Sequence, residues 1–173
     1  GHPRLGPATY KLVWHGPEER SAYSFCMCPG GLVVAAASEP GGVFTNGMSV
    51  HARDGKNANS ALVVGAHPGD FGSNHPLAGV AFQRCWEQAA FRLGGGSFVA
   101  PAQRVGDFLA GCASDRLGSV TATYSRGVLP CDLRGALPDF VAATLRQALL
   151  ALDHRLKGFA HPDAVLTGVE TRT

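Results

Sequence analysis

Apolar and polar positions change rhythm once along this chain. Over residues 8–15, 20–28 and 32–37, β-branched, aromatic and other apolar residues come in short runs. Gly16-Pro17 and Pro29-Gly30-Gly31 separate them, which predicts three strands joined by tight turns. Within 20–28, strand alternation predicts Tyr23, Phe25 and Met27 on one face and Ser24, Cys26 and Cys28 on the other. A short strand is expected over 43–45 and another over 61–66. Asp54-Gly55 between them predicts a two-residue hairpin turn.

From Asn74 the rhythm becomes helical. Asn74-His75-Pro76 predicts a helix start, with Leu77, Val80, Ala81, Cys85, Ala89 and Leu93 as its apolar stripe and Gly94-Gly95-Gly96 as its stop. Pro101 is predicted to open a short helix holding Val105, Phe108 and Leu109. A strand at 119–124 is expected inside an irregular stretch over 112–137. A third helix should run from Pro138 to about Lys157, carrying Phe140, Val141, Leu145, Leu149, Leu152 and Leu156, with Gly158 as its stop. Residues 164–172 return to strand. This order predicts an α+β fold: a mainly antiparallel sheet or partial barrel with a small inserted helical subdomain of about three helices. The β part covers about 8–73 and 119–173, the helical part about 74–158. Residues 1–7 are read as a tag remnant or linker, and nothing in the chain reads as a Rossmann domain.

Composition narrows the function. The chain has 173 residues, of which 45% are hydrophobic and 16% charged. The charged share lies well under the usual ~25%, so a free-standing surface would be thinly covered by charge. The 23 glycines and 11 prolines favour turns and argue against a helical bundle. A net charge of +2, with no basic run interleaved by aromatics, nominates no nucleic acid. No apolar run reaches membrane-spanning length. Five cysteines without framework spacing point to a reducing, cytoplasmic setting. The abrupt beginning and the ending at Glu170-Thr-Arg-Thr173 look like a piece of a longer protein.

The chemistry concentrates in a few places. Cys26 and Cys28 are expected on one strand face. That suits half of a thiolate metal site, a redox pair, thiols lining a cofactor pocket, or simply two small buried hydrophobes. No second cysteine pair follows at zinc-finger spacing, so no metal is assigned. Pro29-Gly30-Gly31 allows close backbone approach, whether to a ligand or in a plain turn. Asn46-Gly47-Met48-Ser49 has the same character. Arg53, Asn57, Asn59 and Ser60 gather one cation and neutral hydrogen-bonding groups, as an anion site or a solvated hairpin would. Glu170 and Arg172 stand two apart on a predicted strand, as an exposed ion pair or an interdomain contact.

Taken together, several motifs resemble a known bacterial family. They are Tyr23-Ser-Phe-Cys-Met-Cys-Pro-Gly-Gly31, Thr45-Asn-Gly-Met-Ser49, Asn57-Ala-Asn-Ser-Ala61, Ala100-Pro-Ala-Gln103 and the closing Thr167-Gly-Val-Glu-Thr-Arg-Thr173. The chain is similar, over nearly its whole length after Ala8, to the FAD-dependent proteins known as NAD(FAD)-utilizing dehydrogenases. The resemblance implies an inserted middle domain of a FAD-dependent oxidoreductase. This domain would cover the flavin, shape the pocket of an unidentified small-molecule substrate, and be inactive alone. FAD would belong to the full-length parent, with NAD(P)H as a candidate electron donor and the rest of the parent as partner. The resemblance nominates Cys26 and Cys28 as catalytic residues. It assigns Pro29, Gly30, Gly31, Glu170 and Arg172 to the cofactor side. Asn46, Met48, Ser49, Arg53, Asn57 and Asn59 fall to the substrate. Two other readings stand beside it: a thiol or metal module centred on Cys26 and Cys28, and a protein-interaction domain.

Overall fold

A computed structural model describes residues 11–17 and 19–172. The predicted tag or linker over 1–7, and residues 8–10 of the first predicted strand, lie outside the described residues. The fold is α+β, with three small sheets, three α-helices and no closed barrel among the described residues.

Strands β1 (Val13–His15), β2 (Ser21–Cys28) and β5 (Asn59–Val64) form one antiparallel sheet in the order β1-β2-β5. Strands β3 (Gly31–Ala35) and β4 (Thr45–Ser49) form an antiparallel ribbon with Leu32 opposite Met48. The third sheet places β6 (Ala100–Arg104) between β7 (Val128–Pro130), which runs parallel to it, and β8 (Val165–Thr167), which runs antiparallel. Helices α1 (Ala78–Leu93), α2 (Val105–Ala110) and α3 (Asp139–Arg155) complete the fold.

The third helix supplies much of the core. Leu145 and Leu149 pack with Val105 and Phe108, while Leu152 and Ala148 pack on Ala22 of β2. These leucines recur at three and four, so the apolar stripe predicted for this helix is buried there. Its last member, Leu156, instead lies past the helix end, exposed. Gly158 (φ 90°) also stands beyond that end, and Asp153 Oδ1 accepts hydrogen bonds from the Gly158 and Ala160 N–H groups there.

Several local expectations give way to tertiary pairing. The predicted hairpin at Asp54-Gly55 does not form, because β4 pairs back onto β3 while β5 crosses to β2. The left-handed residue in that connection is Arg53 (φ 54°). The first helix starts at Ala78, not at Asn74. Its predicted stripe is also rotated: Leu77, Val80 and Cys85 are exposed, while Ala78, Glu87 and Ala90 are buried. Pro101 lies in the central strand β6 rather than opening a helix. Its missing N–H is tolerated there, and its carbonyl accepts from Gly168 N at 3.0 Å. Residues 119–124 form no strand; side chains tie them down instead. Thr123 Oγ1 accepts from Val33 N at 2.9 Å, and Tyr124 donates to the Phe98 carbonyl at 3.1 Å. Residues 168–172 are irregular, so Glu170 and Arg172 do not share a strand face.

One ion pair makes a pH prediction. Arg20, just before β2, donates through both terminal nitrogens to Asp70, at 2.8 and 2.7 Å, and its guanidinium lies 4.2 Å above the Phe140 ring. The Arg20 hydrogen bonds, then the His67 N–H, hold the Asp70 carboxyl down at about 2 from an ordinary 3.8. A depressed folded value stabilises above the unfolded value and is lost as pH falls through the folded one. Stability should therefore fall between about pH 4 and pH 2 by on the order of 1 kcal/mol at this partly screened site. Asp70→Asn should flatten that portion of an acid-unfolding curve.

Candidate functional site

Strands β2, β4 and β5, the first turns of α1, helix α3 and the segment after β8 border an open cavity of about 1210 Å³. Six of the predicted site residues line it: Cys28, Asn46, Asn57, Asn59, Glu170 and Arg172. The remaining seven lie elsewhere. Cys26 is exposed outside the cavity, Pro29 and Gly30 form the turn between β2 and β3, and Gly31 opens β3. Met48 is 55% exposed on the ribbon. Ser49 and Arg53 line a shallow surface hollow with Val50 and His51.

The two thiols separate because β2 carries a bulge. Phe25 pairs with Ala61 and Cys28 with Asn59, so two β2 residues stand against one residue of β5. Cys26 takes up the distortion at φ 46°, which breaks the alternation expected of the strand. Cys28 joins Phe25 and Met27 on the cavity side, and the two cysteines do not share one face. Among the described residues no three His, Cys, Asp or Glu side chains gather as a metal site.

The glycines answer to the chain's own packing. A Cβ at Gly30 (φ 62°) would collide with the backbone of Arg53 and Asp54. A Cβ at Gly31 would overlap Asn59 Oδ1, and one at Gly47 would overlap Asn59 Nδ2. The Asn59 carboxamide therefore lies wedged between two glycines of β3 and β4, with neither polar atom hydrogen-bonded among the described residues. Asn57 Nδ2 donates to the Thr121 carbonyl at 2.7 Å, and Asn46 Oδ1 accepts from Gly47 N at 2.7 Å.

The segment 168–172 is clamped from two sides. Thr45 N donates to the Val169 carbonyl at 2.9 Å. From α1, Gln83 Nε2 donates to the Thr171 carbonyl at 3.0 Å, and Thr171 Oγ1 donates to Glu87 Oε1. Arg172 makes a two-pronged pair with Glu87, at 2.8 and 2.7 Å, and donates to Ser38 Oγ at 3.1 Å. Its hydrogen bonds to Glu87, then the charges of Glu87 and Glu39, push the guanidinium further above its ordinary value. Glu170 behaves differently. It is half-buried at the cavity wall, has no hydrogen-bond or ion-pair partner among the described residues, and burial pushes its carboxyl up from the ordinary carboxylate range.

Sequence reasoning missed an aromatic wall. Phe71, Phe82 and Trp86 line the cavity in a row, with ring centroids 5.4 and 6.2 Å apart. The Trp86 indole N–H is buried without an acceptor among the described residues. The signal was present in α1 as two adjacent i, i+4 pairs, Phe82/Trp86 and Gln83/Glu87. The first faces the cavity; the second holds the segment 168–172. The apolar stripe at Leu77, Val80 and Cys85 masked both.

This geometry defines an α+β domain built around a roomy, largely apolar pocket with few free polar groups. The whole chain, residues 1–173, matches the family described as FAD-dependent protein, C-terminal domain-like, and the protein belongs to that family. It is also similar to an uncharacterized protein of Clostridium beijerinckii, with 51% identity over 173 residues. That match covers 99% of this chain and 32% of the relative, so the chain spans about a third of its length. Among the described residues no helix is long and apolar enough to cross a membrane.

Proposed function

We propose that this chain is the inserted, substrate-side domain of a FAD-dependent oxidoreductase, covering the flavin and shaping the substrate pocket. The observation that carries this reading is the cavity walled by Phe71, Phe82 and Trp86 in a chain of a FAD-dependent family. The residues present fit part of the cofactor. A wide cavity walled by three aromatic rings, tilted 48° and 70° to one another, suits a bulky apolar ring system. The chain has no glycine fingerprint between a strand and a helix, so the pyrophosphate falls to the rest of the parent. A bound flavin would supply the two-electron redox step.

The chain's own residues do the rest. The aromatic wall excludes water and positions the substrate body. Cys28 and Glu170 are the thiol and the carboxylate at the wall, and Asn57, held by Thr121, fixes the loop that borders it. The domain has no redox activity alone. NAD(P)H is the electron donor in this reading, and its five free thiols suit a cytoplasmic setting.

The test is the visible spectrum of the full-length protein. It should carry flavin absorbance, and residues 1–173 alone should carry none. A folded, flavin-free parent that takes up no FAD on soaking would remove this reading. Two variants sharpen it. Cys28→Ser in the full-length protein should shift the flavin spectrum or weaken flavin retention, while Cys26→Ser should leave both unchanged. Equal effects of the two would detach the cavity from the cofactor.

A further inference from the structure

Glu170 is the carboxylate that lines the cavity, and among the described residues it has no partner. The cations that share the cavity are occupied or stand out in water: Arg172 is held by Glu87, Lys157 reaches Asp153 at 3.4 Å with its own side chain 80% exposed, and Lys56 is exposed. A half-buried carboxylate facing a large cavity without a counter-charge is costly to maintain as a structural feature. It is economical as the receptor for a charge that a ligand brings.

The neighbours say what the rest of that ligand looks like. Thr171, next to Glu170, is held by Gln83 and Glu87 of α1. Phe71, Phe82 and Trp86 line the same cavity as Glu170. Aromatic faces attract cations and stack on flat apolar bodies. An anionic ligand would meet repulsion from Glu170, and a neutral one would leave it unpaired.

We propose that Glu170 receives the ammonium group of a cationic amine substrate whose flat apolar body lies along Phe71, Phe82 and Trp86. This deepens the reading of the cavity as the substrate pocket of a flavin-dependent protein and rests on it. Glu170 sets the charge preference; the aromatic row sets the shape preference.

The test uses the full-length protein and three probes of one shape: 2-phenylethylamine, 2-phenylethanol and phenylacetate. Binding is read by calorimetry and by quenching of tryptophan fluorescence. The amine should bind more tightly than the alcohol by about tenfold or more, and phenylacetate most weakly. Glu170→Gln should erase the margin between amine and alcohol while leaving the alcohol's affinity in place. Phe82→Ala should weaken amine and alcohol alike. Circular dichroism of each variant establishes that it is folded, and Glu170→Asp should restore part of the margin if Glu170→Gln perturbs the loop. Equal affinity for amine and alcohol, a margin unchanged in Glu170→Gln, a preference for phenylacetate, or no binding of the amine would each overturn the proposal. Flavin absorbance in the same samples reports separately on the cofactor reading: a protein that prefers the amine but holds no flavin would lose that reading and keep this site.

Discussion

Replacing Arg172 with alanine is expected to destabilise the protein by about 3 kcal/mol, more than replacing Glu87 with glutamine does. The reason is an asymmetry of burial. The Glu87 side chain is 2% exposed and the Arg172 side chain 34% exposed. Without the guanidinium, a carboxylate stays inside the protein with the Thr171 hydroxyl as its remaining donor. Without the carboxylate's charge, the guanidinium still reaches water, keeps Ser38 Oγ and lies 5.4 Å from the Phe44 ring. Urea unfolding of the two variants gives the comparison directly. The Arg172 variant should also exchange its amide hydrogens faster over 168–172, since that segment loses part of its clamp on α1. The opposite order of stabilities, or losses below about 1 kcal/mol for both, would mean that solvent screens this pair as it screens surface pairs.

The second large effect should come from two glycines. Gly31→Ala and Gly47→Ala are each expected to cost about 1–3 kcal/mol through overpacking. Neither position has a positive φ, although a Cβ at Gly31 would also lie 2.7 Å from the Cys28 carbonyl oxygen. The cost arises from the Asn59 carboxamide wedged between the two strands. Asn59→Ala should itself cost less than about 1 kcal/mol, because its amide atoms have no partners to lose. Combined with Asn59→Ala, Gly47→Ala should recover most of its loss, a coupling above about 1 kcal/mol in a double-mutant cycle, and Gly31→Ala only part, because the Cys28 carbonyl still meets its Cβ. Additive losses would place the strain elsewhere in the ribbon.

Much of this protein was readable from local pattern. The β-rich opening, the long helices and the leucine stripe of α3 follow from periodicity, which is a property of each segment by itself. The family resemblance also lay in the sequence, in motifs such as Cys26-Met-Cys-Pro-Gly-Gly31, and the match over residues 1–173 agrees with it. The site was legible only in part. Asn57, Asn59 and Glu170 do border the cavity, whereas Met48, Ser49 and Arg53 face away from it. Alternation alone could not separate Cys26 from Cys28, because the bulge in β2 comes from its pairing with β5.

What the sequence by itself determined is therefore the β-rich opening, the two long helices, the α+β class and the family. Each depends on residues near one another in the chain. The tertiary structure alone decided which residues meet. It pairs Glu87 with Arg172 across 85 positions and sets Asn59 between Gly31 and Gly47. It also turns the aromatic side of α1 inward and leaves Glu170 without a counter-charge among the described residues. No local rule foretells these contacts: which face of a helix or strand is buried, and which charge is left unpaired, depends on what the rest of the chain brings against it.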